Sequence, residues 1–301
     1  MSTHNRSKRI GNMKDLLSSL GLINPTSLEI LNTRTRDLED LKVWRCPRSR
    51  IIFLNNIVRD DKYYQEINTD QGQVLIGQTY EKPPVNGDSL RRIKDFEEYL
   101  RDRSVLDFGC EFGKFLQLAR PISKSVCGLD IRADVIEYLV ERGYRAVNSI
   151  ENLEDNEFDV ITVFHVLEHL TDPIGTLQSL RKKLKPNGHV IVEVPHARDF
   201  LIETLNLRSF IDFTLWSEHL MLHTRESLQC FLSEAGFTNI FIKGYQRYNL
   251  ANHLYWLWKQ QPGGHEYMRP LSEPQFDKSY SALLNSIDQN DTIIAIATNP
   301  T

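Results

Sequence analysis

Cysteine is scarce in this chain of 301 residues, and the four that occur, Cys46, Cys110, Cys127 and Cys230, include no CxxC pair. That spacing excludes a four-thiolate zinc site and offers no disulfide framework, so reduced thiols in a cytoplasmic protein are expected. No apolar run approaches the roughly eighteen residues of a membrane-spanning helix. The basic start, MSTHNRSKRIGNMKD, is not followed by an apolar stretch, so neither a membrane span nor a secretory leader is expected. Internal repeats and low-complexity tracts are missing too, as is the G-x-G-x-x-G pattern of dinucleotide-binding loops.

What is present has the balance of a soluble globular protein, 41% hydrophobic and 25% charged. The net charge of −4 is uneven, because residues 1–60 hold 11 Lys and Arg against 6 Asp and Glu, which leaves the remainder acidic. The basic head is read as a solvated tail; an acidic remainder does not suit a long nucleic-acid track.

Periodicity predicts helices over Met13–Leu20 and Ser27–Leu31, then a small β-hairpin within residues 41–57, LKVWRCPRSRIIFLNNI. Asp60–Ile67 carries the paired tyrosines Tyr63 and Tyr64, and a helix-poor stretch ends at Pro83-Pro84. A helix over Ser89–Leu100 leads into alternating strands and helices. The strands are Ser104–Asp107, Ser125–Asp130, Arg145–Val147, Asp159–Phe164, His189–Val194, Thr238–Ile242 and Thr292–Thr298. The helices between them are Gly113–Ala119, Ala133–Arg142, Asp172–Leu184 and Arg225–Ala235. Alternation of this kind predicts an α/β fold, a Rossmann-like doubly wound, seven-stranded, mostly parallel sheet. Gly188 and Gly236 are expected at left-handed helix ends. Residues 1–88 are read as an N-terminal extension and 89–301 as the main domain, with helical insertions at about 196–223 and 245–290 that are placed to cover a ligand.

The chain is organised around Ser104–Phe115, SVLDFGCEFGKF, a strand running into a glycine-bearing turn and then a helix. Missing Cβ atoms at such a turn let a ligand approach the backbone. Asp130 closes the second strand, VCGLD, where a carboxylate accepts both hydroxyls of a ribose lying over the first loop.

With these motifs the sequence resembles the class I S-adenosylmethionine-dependent methyltransferases over roughly residues 89–298, in the branch of ubiquinone-biosynthesis-type and polysaccharide-tailoring enzymes. VLDFGCEFG matches their first motif, GLD the second, FDVITVFHVLEHLTDP the fourth-strand motif, and KPNGHVIVEVPH and HLMLHTRESLQCFLSEAGF the segments that follow. The resemblance implies S-adenosyl-L-methionine as cofactor, with Asp107, Gly109, Cys110 and Gly113 around its methionine part and Asp130 on its ribose. Ile131 would lie against the adenine, Asn148, Ser149, Ile150 and Glu151 would close that pocket, and His165 would border the site. Glu111 departs from the glycine usual at its position. Residues 44–67 also resemble the shell of a zinc-ribbon module found before some sugar C-methyltransferases, but with Cys46 kept and Ser49 in place of a second thiolate no zinc is expected there.

Histidines supply bases near neutral pH, and His165, His169, His196, His219 and His223 gather at strand ends. His165, His196 and His219 are the leading candidates to deprotonate an acceptor hydroxyl, with Glu218 orienting His219 or binding the acceptor. Some relatives hold a divalent metal with Glu-x-x-Glu-His where this chain has His165-Val-Leu-Glu168-His169; no metal is expected here. The expected function is O-methylation of a small-molecule sugar or glycan hydroxyl, as in polysaccharide biosynthesis. The alternatives are a sugar C-methyltransferase, a cofactor-binding but catalytically silent partner subunit, and an RNA 2′-O-methyltransferase.

Overall fold

The computed structural model describes residues 12–56, Tyr63 and 87–301. The remaining expectations for 57–86 lie outside the described residues. The expected strands of the main domain form as β4 (Ser104–Phe108), β5 (Ser125–Leu129), β6 (Arg145–Val147), β7 (Phe158–Phe164), β8 (Leu184–Pro195), β10 (Thr238–Tyr245) and β11 (Thr292–Thr298). They build one sheet in the order β10-β11-β8-β7-β4-β5-β6. Pairing is parallel from β8 to β6, and β11 alone runs against its two neighbours.

Alternation along the central strands explains why this sheet is covered on both faces. Val105, Val160, Ile191 and Ile294 point into a core with Phe96 and Leu100 of helix α2 (Gly87–Leu100) and Phe115 and Ala119 of α3 (Lys114–Ala119). Their neighbours Leu106, Ile161, Val190, Val192 and Ala295 point into the opposite core. There they meet Leu177 and Leu180 of α5 (Pro173–Lys183) and Leu228 and Phe231 of α8 (Arg225–Glu234). Period-two side chains on buried strands place adjacent residues on opposite faces, so each strand serves both cores. Helix α4 (Ala133–Glu141) follows β5.

Near the N-terminus, α1 (Met13–Ser19) is capped by the Asn12 side chain, which accepts from the Asp15 N–H at 2.9 Å. The helix expected over 27–31 is instead strand β1 (Glu29–Asn32), paired antiparallel with β2 (Val43–Arg45). An Asx turn at Asn24, which accepts the Thr26 N–H at 3.1 Å, ends just before it. Four residues are too few to repay helix nucleation, whereas pairing with β2 satisfies their backbone directly. The hairpin expected within 41–57 forms from β2 and β3 (Ile52–Leu54), and β3 pairs further with β9 (Met221–Leu222). The N-terminal hairpin and the first insertion therefore share a four-stranded sheet.

Gly236 takes the expected left-handed conformation at φ +87°, but Gly188 does not. Asn187 holds the left-handed position at φ +61° and Gly188 lies inside β8. Glycine is needed at 188 for another reason: a Cβ would lie 2.9 Å from the Lys185 carbonyl oxygen and 3.0 Å from that of Asp159. The first insertion holds α6 (Phe200–Glu203) and α7 (Arg208–Thr214), and the second holds α9 (Leu250–Lys259), α10 (Gly264–Tyr267) and α11 (Pro274–Ser286), helical as expected. No helix among the described residues is long and apolar enough to cross a membrane.

Phe53 is fully buried in β3 opposite Met221 and belongs to the core shared with the main sheet. Phe53→Ala is expected to cost about 3–5 kcal/mol through the cavity it leaves. A urea midpoint equal to the parent's would show that the small sheet is not part of the cooperative core.

Candidate active site

The strand β4 ends at Phe108, and the chain must then turn onto α3 under the tips of β5 and β7. Gly109 makes the turn at φ +77°, donating its N–H to the Leu129 carbonyl at 2.7 Å; a Cβ there would sit 2.3 Å from Val166 Cγ2. Gly113, at φ +75°, closes the turn where a Cβ would meet Leu139 of α4 at 2.6 Å. Between them Glu111 keeps a glycine-like backbone at φ +44°, and its N–H donates to Asp130 Oδ2 at 3.0 Å.

This loop forms one wall of a cavity of about 870 Å³. Of the residues expected to bind the cofactor, Asp107, Gly109, Cys110, Asp130, Ile131, Asn148, Ser149, Ile150 and His165 line it, as does Glu151. Gly113 does not, because it shapes the loop from behind. The other Asp130 oxygen accepts the Arg132 N–H at 3.1 Å. Each carboxylate oxygen thus takes one backbone donor, and the remaining lone pairs are left for two hydroxyl donors, which suits a ribose. Asp107 is buried beside Thr162, whose hydroxyl donates to Oδ1 at 2.7 Å. Burial pushes the Asp107 carboxyl up to about 7 against that bond.

The facing wall begins at His165, turned sharply at φ +57° after β7, with its N–H donating to the Glu193 carbonyl at 2.8 Å. Its ring lies between two carboxylates, Nδ1 3.3 Å from Glu168 Oε1 and Nε2 3.2 Å from Glu193 Oε1. Burial works against a charged imidazole here, but the bonds to Glu168 and Glu193 outweigh it and raise the pKa. Burial also opposes ionisation of Glu168, yet His165, then His169 and His219, draw it down to about 2. Glu193, fully buried in β8, accepts two bonds from Arg91 at 2.8 Å and one from Arg92 at 2.7 Å, and is held far below the usual carboxylate range despite burial. Carboxylates on both sides of the ring favour its charged form, which opposes the role of base expected of His165.

Three other side chains converge beside it. Glu168, His169 and His219 present ligand atoms within 4.8 Å of one another, with the two rings edge to face at 4.9 Å. His219 is brought there by the small sheet: the Leu220 N–H donates to the Glu168 carbonyl at 2.8 Å, and the Leu54 N–H donates to the Leu220 carbonyl at 2.9 Å. Burial, and after it His169, depress His219 to about 4, so it is neutral near pH 7. Glu168 Oε2 and His219 Nδ1 are buried without a hydrogen-bond partner. His169 and Glu218 line the cavity, and the Tyr63 hydroxyl donates to Glu218 Oε1 at 3.2 Å.

His196 is not part of this group. It is buried behind the cavity, bridged to His223, with Nδ1 3.0 Å from the Asn290 carbonyl oxygen and a pKa lowered to about 4 by burial. It therefore has no access to an acceptor in the cavity. Sequence reasoning also passed over Arg92 and Arg247, which line the cavity, the latter paired with Asp88. Glu193 and Thr162 left a signal, a single carboxylate and a single hydroxyl inside the apolar runs 190–194 and 160–164; Arg247 left none.

A doubly wound sheet with a glycine loop, a ribose-type carboxylate at the second strand tip and a titratable wall at the fourth defines a Rossmann-like cofactor-dependent transferase. The methyltransferase domain family matches residues 85–241, more than half of the chain, and the chain belongs to that family, among the class I S-adenosylmethionine-dependent methyltransferases. It is 29% identical over 133 residues to the ubiquinone biosynthesis O-methyltransferase of Alkalilimnicola ehrlichii, covering 40% of this chain and 50% of that protein. The mitochondrial ubiquinone biosynthesis O-methyltransferase of Candida albicans is 30% identical over 177 residues, covering 50% and 51%. The chain thus spans about half the length of these curated relatives. Among solved structures, Haemonchus contortus phosphoethanolamine N-methyltransferase 2 in complex with S-adenosyl-L-methionine aligns with a TM-score of 0.50 at 18% identity, over 83% of this chain and 62% of that one, a likeness of fold.

Asp130→Ala would remove the carboxylate that the resemblance places on a ribose, where each of two hydroxyl bonds is worth about 1.5–3 kcal/mol when charge-assisted. Binding of S-adenosylhomocysteine is expected to weaken at least tenfold by titration calorimetry. Unchanged affinity would sink the assignment of this carboxylate.

Proposed function

We propose that the chain is an S-adenosylmethionine-dependent O-methyltransferase that modifies a hydroxyl of a small aromatic acceptor. One observation carries the reading: the cavity joins the Asp107 to Asp130 wall to a wall that presents His169, Glu218 and, behind them, Glu168 and His219. Bound along the first wall, the cofactor supplies a methyl group on a positively charged sulfur. Asp107 and the Gly109 turn hold its amino acid end, Asp130 its ribose, and Ile131 with Asn148–Ile150 its base.

The chain's own part in the chemistry is to position the acceptor oxygen and take its proton. His169 stands at the cavity wall with neutral His219 edge-on behind it, and the ionised Glu168 stabilises the imidazolium that forms. The Arg92 guanidinium, 4.4 Å above the Phe164 ring, and His165, whose charged form its two carboxylates favour, border the part of the cavity where an oxyanion would develop.

The sugar or glycan hydroxyl expected from the sequence has no support among the curated relatives, whose names point to ubiquinone biosynthesis. A ring hydroxyl also asks less of a histidine, because its proton is far more acidic than a sugar's. Phe164, Val166 and Leu170 give that side of the cavity apolar surface for such a ring. Residues 1–88 are taken as an extension that builds the acceptor side through β3 and β9, and 89–301 as the catalytic domain.

A second reading rests on the three converging ligand groups. Glu168, His169 and His219, with Glu168 Oε2 and His219 Nδ1 unpartnered, have the donor set of a divalent cation site, which would lower the pKa of a bound hydroxyl. Chelation separates the two readings: turnover retained in chelator supports the histidine base, and loss restored by Mg²⁺ or Mn²⁺ supports the cation.

His169→Ala and His219→Ala are each expected to lower turnover on a catechol about 10²–10⁴-fold while S-adenosylhomocysteine affinity stays within a few-fold. Turnover near the parent's in both would remove these residues from the chemistry, and methylation of glycans in place of the catechol would restore the sugar reading.

The Asp107 carboxyl adds a pH dependence. Neutral in much of the free protein below about 7, it must ionise to pair with the cofactor's ammonium group. Cofactor affinity is therefore expected to fall as pH drops from about 7 toward 5, with proton release on binding in calorimetry. Asp107→Asn should flatten that profile, and a parent profile already flat would refute the pairing.

A further inference from the structure

Glu111 is the one residue of the first loop that resists the glycine pattern, and it keeps the bent backbone that a glycine would adopt. Its φ of +44° lies in the left-handed region, where a side chain is strained, and the strain is held by the bond from its N–H to Asp130 Oδ2. A position that retains a strained glutamate where glycine would be relaxed invites a reason in the side chain.

Glu111 is exposed and is one of the residues that line the cavity. Among the described residues it makes no side-chain hydrogen bond or ion pair. The neighbouring cation, Arg132, lies over the Phe112 ring and faces Asp134 at 3.6 Å and Asp130 at 3.9 Å. The field of Glu111 still reaches the cofactor wall: after burial and the bonds that oppose it, repulsion from Glu111 is among the influences on both Asp107 and Asp130. An unpaired negative charge at this place acts on whatever charge the ligand brings.

We infer that Glu111 sets the preference of this site for the methyl donor over the spent cofactor. The inference rests on the proposed function. S-adenosylmethionine carries a sulfonium cation, whereas S-adenosylhomocysteine has a neutral thioether at the same place, and their remaining groups are identical. A carboxylate on the residue that lines this wall attracts the first more than the second, so product is released more readily after the methyl group has left. A unit charge acting across a partly wet cavity changes such a ratio by about threefold to tenfold.

The test compares Glu111→Gln, which keeps the side chain and removes the charge, with Glu111→Gly, which also relieves the backbone. Titration calorimetry with each cofactor form gives the ratio of dissociation constants without any acceptor or turnover. For Glu111→Gln the ratio of the two dissociation constants should shift against S-adenosylmethionine by about threefold to tenfold, whatever change the two ligands share through Asp107. Glu111→Gly should show the same loss together with a higher melting temperature of the free protein. Added salt should erode the parent's preference and leave that of Glu111→Gln alone. A parent ratio retained in Glu111→Gln, or equal weakening of both ligands, would overturn the inference while leaving the proposed function intact. Failure of the parent to bind either ligand would overturn both.

Discussion

The buried Glu193 carboxylate is the constraint around which the site is assembled. It stands in the apolar run 190–194 near the end of β8 with no access to solvent, a position that is stable only when the charge is matched. Arg91 and Arg92 supply the match from α2, and His165 supplies it from the turn after β7. A single buried charge therefore fixes the helix that precedes the sheet, the fifth strand of the main domain, and the turn at the cavity wall. Removing one partner would leave an unpaired charge in the core, so the network binds these three elements more firmly than their apolar contacts alone.

The small N-terminal sheet acts on the same site from the other side. Its third strand pairs with β9, and the residue just before β9, Leu220, donates to the Glu168 carbonyl. Glu218 and His219 are thus held against the 165–169 turn by backbone bonds that begin in the hairpin. An extension that looks peripheral along the chain becomes part of the wall that an acceptor would touch. Cys46 and Ser49 lie in the tight turn of that hairpin, where the Cys46 N–H donates to the Ile51 carbonyl at 3.0 Å and the Arg50 N–H to the Cys46 carbonyl at 2.9 Å.

The first wall shows how closely glycine placement and charge are combined. Gly109 is required by Val166 and Gly113 by Leu139, both steric demands from neighbouring elements. Asp107 and Asp130 line the cavity from the ends of their strands, where burial makes each carboxyl harder to ionise than in water. Binding of a cationic ligand would relieve that penalty, which couples ligand charge to the protonation of the wall.

The sequence alone determined the sheet, because buried strands and amphipathic helices write their periods locally, and the strand starts and ends lie within a few residues of those expected. It also marked the loop and strand tip that line the cavity, since a glycine turn after an apolar strand and an aspartate at the next strand tip are local patterns. It misread Ser27–Leu31, too short for its period to decide, and Gly188, where a close approach of distant backbone and not a left-handed turn requires glycine. Only the tertiary structure sorted the histidines. His165 was clamped by Glu193 from another strand, His196 was buried behind the cavity, and His219 was carried to His169 by a strand pairing between residues 53 and 221. Those outcomes depend on contacts between residues far apart in the chain, and no local pattern records which partner a side chain will meet when the chain has folded.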